Sequence, residues 1–391
     1  MYACSIIVNE NNQMNNIQYF CNPETIEQNA FSQVINYSNN PDIEKVCVFT
    51  DIHYCDEKAV PVGVAFATND YFYPLITGKD IGCGVMFLKI SKEDWLKPFD
   101  KKAHYKALNA AHQKMTDDGL GGGNHFLSLE EDEENIYILC HTGTRNRGIG
   151  LYQHCYKLTQ EYSLEHGSEV GFVAKDYVDE KFYEYYDSIL QFGYERRKNF
   201  CVKTLLFLQN ANYIKCEKSK IPKDYLSQNY ATIGEEGKLF GTTYQLKDSI
   251  HNHLRFDVEG KTIHRKGSTE LKANETVVIP LSMTRGSLLV KLLPYSPLAK
   301  DALFSCAHGA GRQYSRFDTM KYWRTTLKEK DRKTFKKQFS EMLDRSGKFS
   351  SGYVQEFDFA YKDHSEIFQY QTYLKKITET KPIVTVKYTE I

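Results

Sequence analysis

The spacing of apolar and polar positions along the chain changes period repeatedly. Residues 46–50, 62–66 and 84–90 are short apolar runs of the length and β-branched content of buried strands. Residues 24–37 and 101–115 instead carry their apolar positions at helical spacing. Residues 135–140 predict a strand that delivers His141 into a polar, glycine-containing loop, and residues 149–209 read as mainly helical. Further on, 275–279 and 288–293 predict strands, a basic helix follows His308, and 381–389 predict a last strand. Residues 1–22, Asn-rich after a short apolar start, predict no more than an edge strand. No Pro/Gly/Ser linker and no fixed-period repeat interrupts this alternation. The expectation is therefore an α/β fold of mixed α+β kind, a single large domain over residues 1–391 with 1–22 as a divergent N-terminal edge.

Composition narrows the picture only a little. Hydrophobic residues at 41% and charged residues at 26% are ordinary for a soluble protein. Lys plus Arg and Asp plus Glu stand at 50 each, so net charge selects no partner and any nucleic-acid surface must be a local patch. One such patch exists in the sequence. Between Arg312 and Lys337 the chain carries Arg312, Arg316, Lys321, Arg324, Lys328, Lys330, Arg332, Lys333, Lys336 and Lys337 against Asp318, Glu329 and Asp331. Such a run is often a solvated helix face, but its start beside a candidate nucleophile favours a phosphate track. No apolar stretch is long enough to span a membrane, and the N-terminus lacks the basic segment and apolar run of a signal peptide. Ten scattered cysteines without a C-x-x-C pair predict a reduced, cytoplasmic protein.

Five clusters carry candidate chemistry. In Gly78-Lys79-Asp80-Ile81-Gly82-Cys83-Gly84, a carboxylate and a thiolate flank a glycine turn and could share one metal or bridge two; a plain turn with a buried cysteine is the bland alternative. Gly121-Gly122-Gly123-Asn124-His125-Phe126 lets backbone approach a ligand beside an amide and an imidazole, though a flexible loop reads the same way. His141 with Arg145 and Arg147 suits a metal ligand next to a phosphate site, or merely a solvated basic loop. His251-Asn252-His253 and His264-Arg265-Lys266-Gly267 concentrate imidazole and cation, yet a single histidine is more often just hydrogen-bonded. Ser305-Cys306-Ala307-His308-Gly309-Ala310-Gly311-Arg312 joins a nucleophile, a glycine cradle and a charge clamp in one loop. One Asp, one Cys and several His form a mixed donor set for Mn²⁺, Fe²⁺ or Zn²⁺, without structural-zinc spacing.

In order, the strings DIGCG, GGGNHF, H-x-G-x-R, HN, HRKG, P-x-SM, SCAHGAGRxxSR and AYKD, with the late Lys387, resemble the RtcB RNA ligases from about Asp51 onward. The resemblance implies two Mn²⁺ ions, with Cys83 shared, Asp80 and His125 on one side and His141 and His251 on the other. It implies that His308 attacks GTP and becomes guanylylated. The nucleotide site would comprise Asn124, His125, Phe126, Leu127, Ser128, His251, Asn252, Pro280, Leu281, Ser282, Met283, Ser287, His308, Gly309, Ala310, Gly311, Tyr361 and Lys387. Arg145, Arg147 and Arg312 would contact RNA phosphate. The implied substrates are RNA 3′-phosphate or 2′,3′-cyclic phosphate ends and 5′-hydroxyl ends, in RNA repair or tRNA splicing, with helper or activating proteins left open and no membrane involved. A capping enzyme that leaves GMP on a 3′-phosphate without sealing, and an idle RNA-binding relative, remain as alternatives.

Three departures from the family pattern mark a divergent paralogue. Ser128 stands where the family usually has an acidic residue, Pro280-Leu281-Ser282-Met283-Thr284 lacks both glycines of P-G-S-M-G, and Gln355-Glu356-Phe357-Asp358 replaces Asp-Glu-Ala-Pro. An acidic side chain at 128 could accept from both N1–H and the exocyclic amine of guanine, which one hydroxyl cannot do. Unless Glu130 or Glu131 compensates, the expectation is a weakened preference for GTP over ATP.

Overall fold

In the computed structural model, the residues described are 16–54, 60–100, 107–108, 111–112, 114–116, 118–294, 296–338 and 351–387. The architecture is mixed α/β, as the alternating periods predict.

A six-stranded antiparallel sheet organises the molecule, in the order Lys381–Val386, Phe126–Glu131, Asn135–Thr142, Gly84–Ser91, Thr242–Ile250, Glu236–Leu239. In its central strands Gly84–Ser91 and Asn135–Thr142, paired without a register break, side chains alternate between the two faces. Met86, Leu88, Ile90, Ile138 and Cys140 face the helix Glu180–Asn210, meeting Phe200, Cys201, Leu205 and Leu208. Their neighbours Val85, Phe87, Tyr137 and Leu139 face the other way, against Val278 and Leu289 of a three-stranded sheet built from Thr276–Ser282, Gly286–Leu292 and Leu374–Glu379. Apolar residues on both faces explain why 84–90 and 135–140 read as continuous runs rather than alternating ones. The same parity places His141 on the face of Tyr137 and Leu139, toward the three-stranded sheet.

A five-stranded sheet, Ile17–Phe20, Ile43–His53, Val62–Thr68, Lys261–Lys266 and Asn252–Val258, lies beside it, and the pair Ser268–Glu270 with Ser305–Ala307 completes the frame that carries His308. The strands Thr242–Ile250 and Asn252–Val258 are separated by His251 alone, so one residue links the two large sheets.

Several boundaries differ from expectation. The first helix runs Gln28–Ser38, because Pro23–Thr25 forms a separate turn capped by Asn22. The helical stretch over 149–209 is two helices, Asn146–His166 and Glu180–Asn210, broken where Gly167 takes a left-handed φ of 64° and Asp179 caps the second. His141 lies inside its strand, which continues to Thr142, and not in a loop. The basic stretch after His308 forms two helices, Arg316–Thr325 and Glu329–Gln338. Most of the predicted edge at 1–22 and of the helix at 101–115 falls outside the described residues, as do 388–389 of the predicted last strand; 17–20 form a strand and 107–108 and 111–112 are helical. No described helix is long and apolar enough to cross a membrane.

Candidate active site

Five donor side chains converge where strands of the six-stranded sheet end. Cys83 immediately precedes Gly84–Ser91, His125 precedes Phe126–Glu131, and His141 lies near the end of Asn135–Thr142, opposite Val85 and Phe126. His251 is fixed through its backbone: its N–H donates to the Cys83 carbonyl at 3.0 Å, and its own carbonyl accepts from Ser268 at 3.1 Å. Asp80 sits in the glycine turn, which Asn252 holds by donating its side-chain amide to the carbonyls of Thr77 (2.8 Å) and Asp80 (2.6 Å). Gly143 is required beside it, since a Cβ there would stand 2.2 Å from Asp80 Oδ1.

The donor spacings suit metal ions. Cys83 Sγ lies 3.3 Å from His141 Nε2 and 3.5 Å from His125 Nε2; His125 Nε2 lies 3.3 Å from Asp80 Oδ2, and His141 Nε2 3.3 Å from His251 Nε2. Two donors each bound at about 2.1 Å with tetrahedral angles would stand roughly 3.4 Å apart. The donors fall into two groups of three, Cys83–His141–His251 and Asp80–Cys83–His125, which share the thiol. Burial pushes His141 and His251 well below the ordinary imidazole range, aided by neighbouring histidines, and so keeps them in the neutral form that ligates. Burial raises Asp80, but the hydrogen bond and charge of His125 outweigh this and hold the carboxyl at about 2. Burial raises Cys83, and Asp80 pushes the same way; a shared cation would reverse that balance and hold a thiolate. The donor set therefore fits one or two divalent ions.

Beside this cluster lies a cavity of about 610 Å³ with His308 and His141 in its wall. His308 follows the strand Ser305–Ala307, and its ring centroid is 4.7 Å from that of His251. Asp51, from the end of the strand Ile43–His53, determines its pose. Asp51 Oδ2 accepts the backbone N–H of His308 at 2.8 Å and of Gly309 at 3.1 Å, and it abuts His308 Nδ1. Burial lowers the His308 imidazole, but the charge and hydrogen bond of Asp51 outweigh it and hold it above its ordinary value. Gly267, with φ of 61°, lets the ring pass: a Cβ there would stand 3.0 Å from His308 Cε1.

The remaining residues expected at a nucleotide divide into two sets. Asn124, Phe126, Pro280, Leu281, Ser282, Met283, Ser287, Gly309, Ala310, Gly311, Tyr361 and Lys387 all line the cavity. Leu127 is in the hydrophobic core, Asn252 holds the Asp80 turn, and His125 and His251 belong to the donor cluster. Ser128 is buried and does not line the cavity; its hydroxyl donates to Glu130 Oε1 at 2.8 Å, and Glu130 is the carboxylate that reaches the cavity wall. Thr380 donates to Glu130 Oε2 at 2.5 Å and Ser287 to Oε1 at 3.3 Å. Burial raises Glu130 above the usual carboxylate range, with these hydroxyls pulling against it. Among the arginines, Arg312 lines the cavity, whereas Arg147 stacks 3.9 Å over the Phe192 ring and Arg145 packs beside Gly121 next to His125.

Two residues that carry the site were given no role by the sequence alone: Asp51 and Glu356. Glu356 accepts from Tyr361 at 2.5 Å and pairs with Arg316 at 2.7 Å and Lys387 at 3.1 Å, so around it Arg312, Arg316 and Lys387 gather, while Glu27, Asp51 and Glu130 line the cavity elsewhere. The local excess of cation around Glu356 favours an anionic group there. For Glu130 a signal existed: it lies two residues from Ser128 on one strand and so on the same face.

The chain is similar to known proteins of one described family. The pattern of the family described as tRNA-splicing ligase RtcB matches residues 94–388. The chain is 26% identical to RNA-splicing ligase RtcB2 of Escherichia coli (strain ATCC 25922) over 74% of either chain. It is 24% identical to RNA-splicing ligase RtcB of Escherichia coli K12, over 74% of this chain and 79% of that one. A tRNA-splicing ligase RtcB of Nanoarchaeum equitans is 26% identical over 71% of this chain and 61% of its own. Asp51, Asp80 and Cys83 precede the matched segment and join it through the contacts above.

Proposed function

The chain belongs to the RtcB family, and from that premise we propose that it is a cytoplasmic, GTP- and Mn²⁺-dependent RNA ligase. It joins 3′-phosphate or 2′,3′-cyclic phosphate ends to 5′-hydroxyl ends through a guanylyl-histidine at His308. The observation that carries this reading is the placement of His308: its ring stands beside the five-donor cluster, in the wall of a cavity that Arg312, Arg316 and Lys387 also line.

Asp51 is suited to hold the proton on His308 Nδ1, which leaves Nε2 with the lone pair a nucleophile needs. Attack forms a P–N bond at the α-phosphorus of GTP and breaks the bond to pyrophosphate. A 3′-phosphate oxygen of the RNA then takes the guanylyl group, breaking the P–N bond, and a 5′-hydroxyl displaces GMP to seal the strand. Asp80, Cys83, His125, His141 and His251 would hold Mn²⁺, which supplies neutralisation of phosphate charge as these bonds change. Arg312 and Lys387 are placed to orient phosphate or ribose oxygens, and Arg316 to steady Glu356. Glu130 reads the base: its carboxylate can accept from N1–H and the exocyclic amine of guanine, and adenine lacks that pair of donors.

Incubation of the protein with GTP, Mn²⁺ and a 3′-phosphate RNA plus a 5′-hydroxyl RNA tests the reading. A joined product supports it. Accumulation of a guanylyl-capped 3′ end without joining identifies a capping enzyme instead, and neither product identifies an idle relative.

A further inference from the structure

The helix Arg316–Thr325 begins at the cavity, where Ser315 caps it and Arg316 lines the wall. Its inner face is closed: Thr319 and Trp323 are buried, and Trp323 stacks on Phe359. Its outer face carries Phe317, Lys321 and Arg324, four and three residues apart, which is one stripe on a helix. Phe317 is 78% exposed. Lys321 and Arg324 are also exposed, and among the described residues neither has an acidic partner. The stripe spans roughly 10 Å and leads away from the cavity mouth.

We infer that this stripe is a docking track for the single-stranded end of the RNA, with a base stacked on Phe317 and phosphates on Lys321 and Arg324. The inference rests on the ligase reading for the identity of the nucleic acid. Charge complementarity selects the occupant: the cations continue the cationic wall that Arg312, Arg316 and Lys387 form inside. The size of the apolar element agrees. One ring is enough to stack one base, whereas a membrane-inserting face or a protein–protein core requires several apolar side chains together. Stacking also explains why an apolar side chain that is exposed among the described residues sits in a basic stripe, since every base offers a π-face whatever the sequence.

The test is fluorescence anisotropy with a labelled single-stranded RNA ending in 3′-phosphate and, separately, a blunt RNA duplex, without GTP. Phe317→Leu is expected to weaken single-strand binding roughly five- to a hundredfold, and Phe317→Trp to retain it. Duplex binding is expected to change little in either. Lys321→Ala with Arg324→Ala should make the salt dependence of single-strand binding shallower by about 1.4 in log–log slope. Single-strand binding by Phe317→Leu equal to that of the parent protein, or equal losses for single strand and duplex, would overturn the track. The same proteins are assayed for self-labelling by GTP, which needs no RNA. A parent protein that fails to label refutes the ligase reading, while labelling by all variants with unaltered RNA binding refutes only the track.

Discussion

Asp51 Oδ2 accepts the backbone N–H of His308 at 2.8 Å across 257 positions of sequence and touches the Nδ1 of the same residue. One carboxylate oxygen thus sets both the backbone and the ring of the proposed nucleophile. Asp51→Asn keeps the size but offers a weaker acceptor or a competing donor, so the ring loses its preferred tautomer. Self-guanylylation should slow by roughly a hundredfold or more, with metal content unchanged. Parental rates in a quantitative labelling time course would show that Asp51 has only a folding role.

In the proposed reaction, base selection rests on Glu130. Glu130→Gln replaces one acceptor oxygen with a donor that meets the guanine donors face on, so discrimination for GTP over ATP should fall roughly ten- to a hundredfold. Competition between the two nucleotides in self-labelling measures this. An unchanged ratio would move guanine selection to Tyr361 or the loop after Pro280. Ser128→Ala should cost much less, because Thr380 and Ser287 still hold the carboxylate.

Metal binding should collapse in Cys83→Ala, since both donor groups share that sulfur. The affinity for Mn²⁺ is expected to fall more than about a hundredfold, beyond what loss of a supporting partner does. His253→Ala and His264→Ala should retain metal: His253 lies 3.5 Å from Glu270, and His264 stacks on Phe66 and accepts the Tyr73 N–H at 2.9 Å. Retention of both ions by the Cys83 variant, read by elemental analysis, would contradict the shared ligand.

Glu356 predicts a pH dependence of stability. Burial raises its carboxyl, but Lys387 first and Arg316 next outweigh this and hold it at about 2, against 4.5 for an ordinary glutamate. A carboxyl depressed in the folded state adds stability at pH above its unfolded value and loses it as pH falls toward 2; the contribution here is about 3 kcal/mol. Glu356→Gln should therefore lower stability at pH 7 by roughly 3–5 kcal/mol, because Lys387 and Arg316 are left uncompensated, and by much less near pH 2. Denaturant midpoints of the two proteins that stay equally far apart at both pH values would refute the pairing.

How much of this was legible in the sequence depended on range. His308 with its glycines, and Asp80 with Cys83, are readable because each group is contiguous. The mixed α/β character was readable because buried strands and helices differ in period. The strands between 236 and 270 were not, since buried His253, His264 and Arg265 look like surface residues when written as letters. Their burial is sustained by partners such as Glu270 and Phe66, which only the sheet register brings near. Asp51 and Glu356 escaped for the same reason: each acts on residues distant in sequence.

The proposed covalent bond between His308 and the guanylyl group is open to direct measurement. The protein and its His308→Ala variant are incubated with α-labelled GTP and Mn²⁺, denatured, and treated with acid or alkali. A phosphoramidate breaks in acid and survives alkali. Label is expected on the parent protein, lost in acid and kept in alkali, and none on the variant, whose metal content stays that of the parent. Label that persists on His308→Ala, or that resists acid on the parent protein, would contradict it.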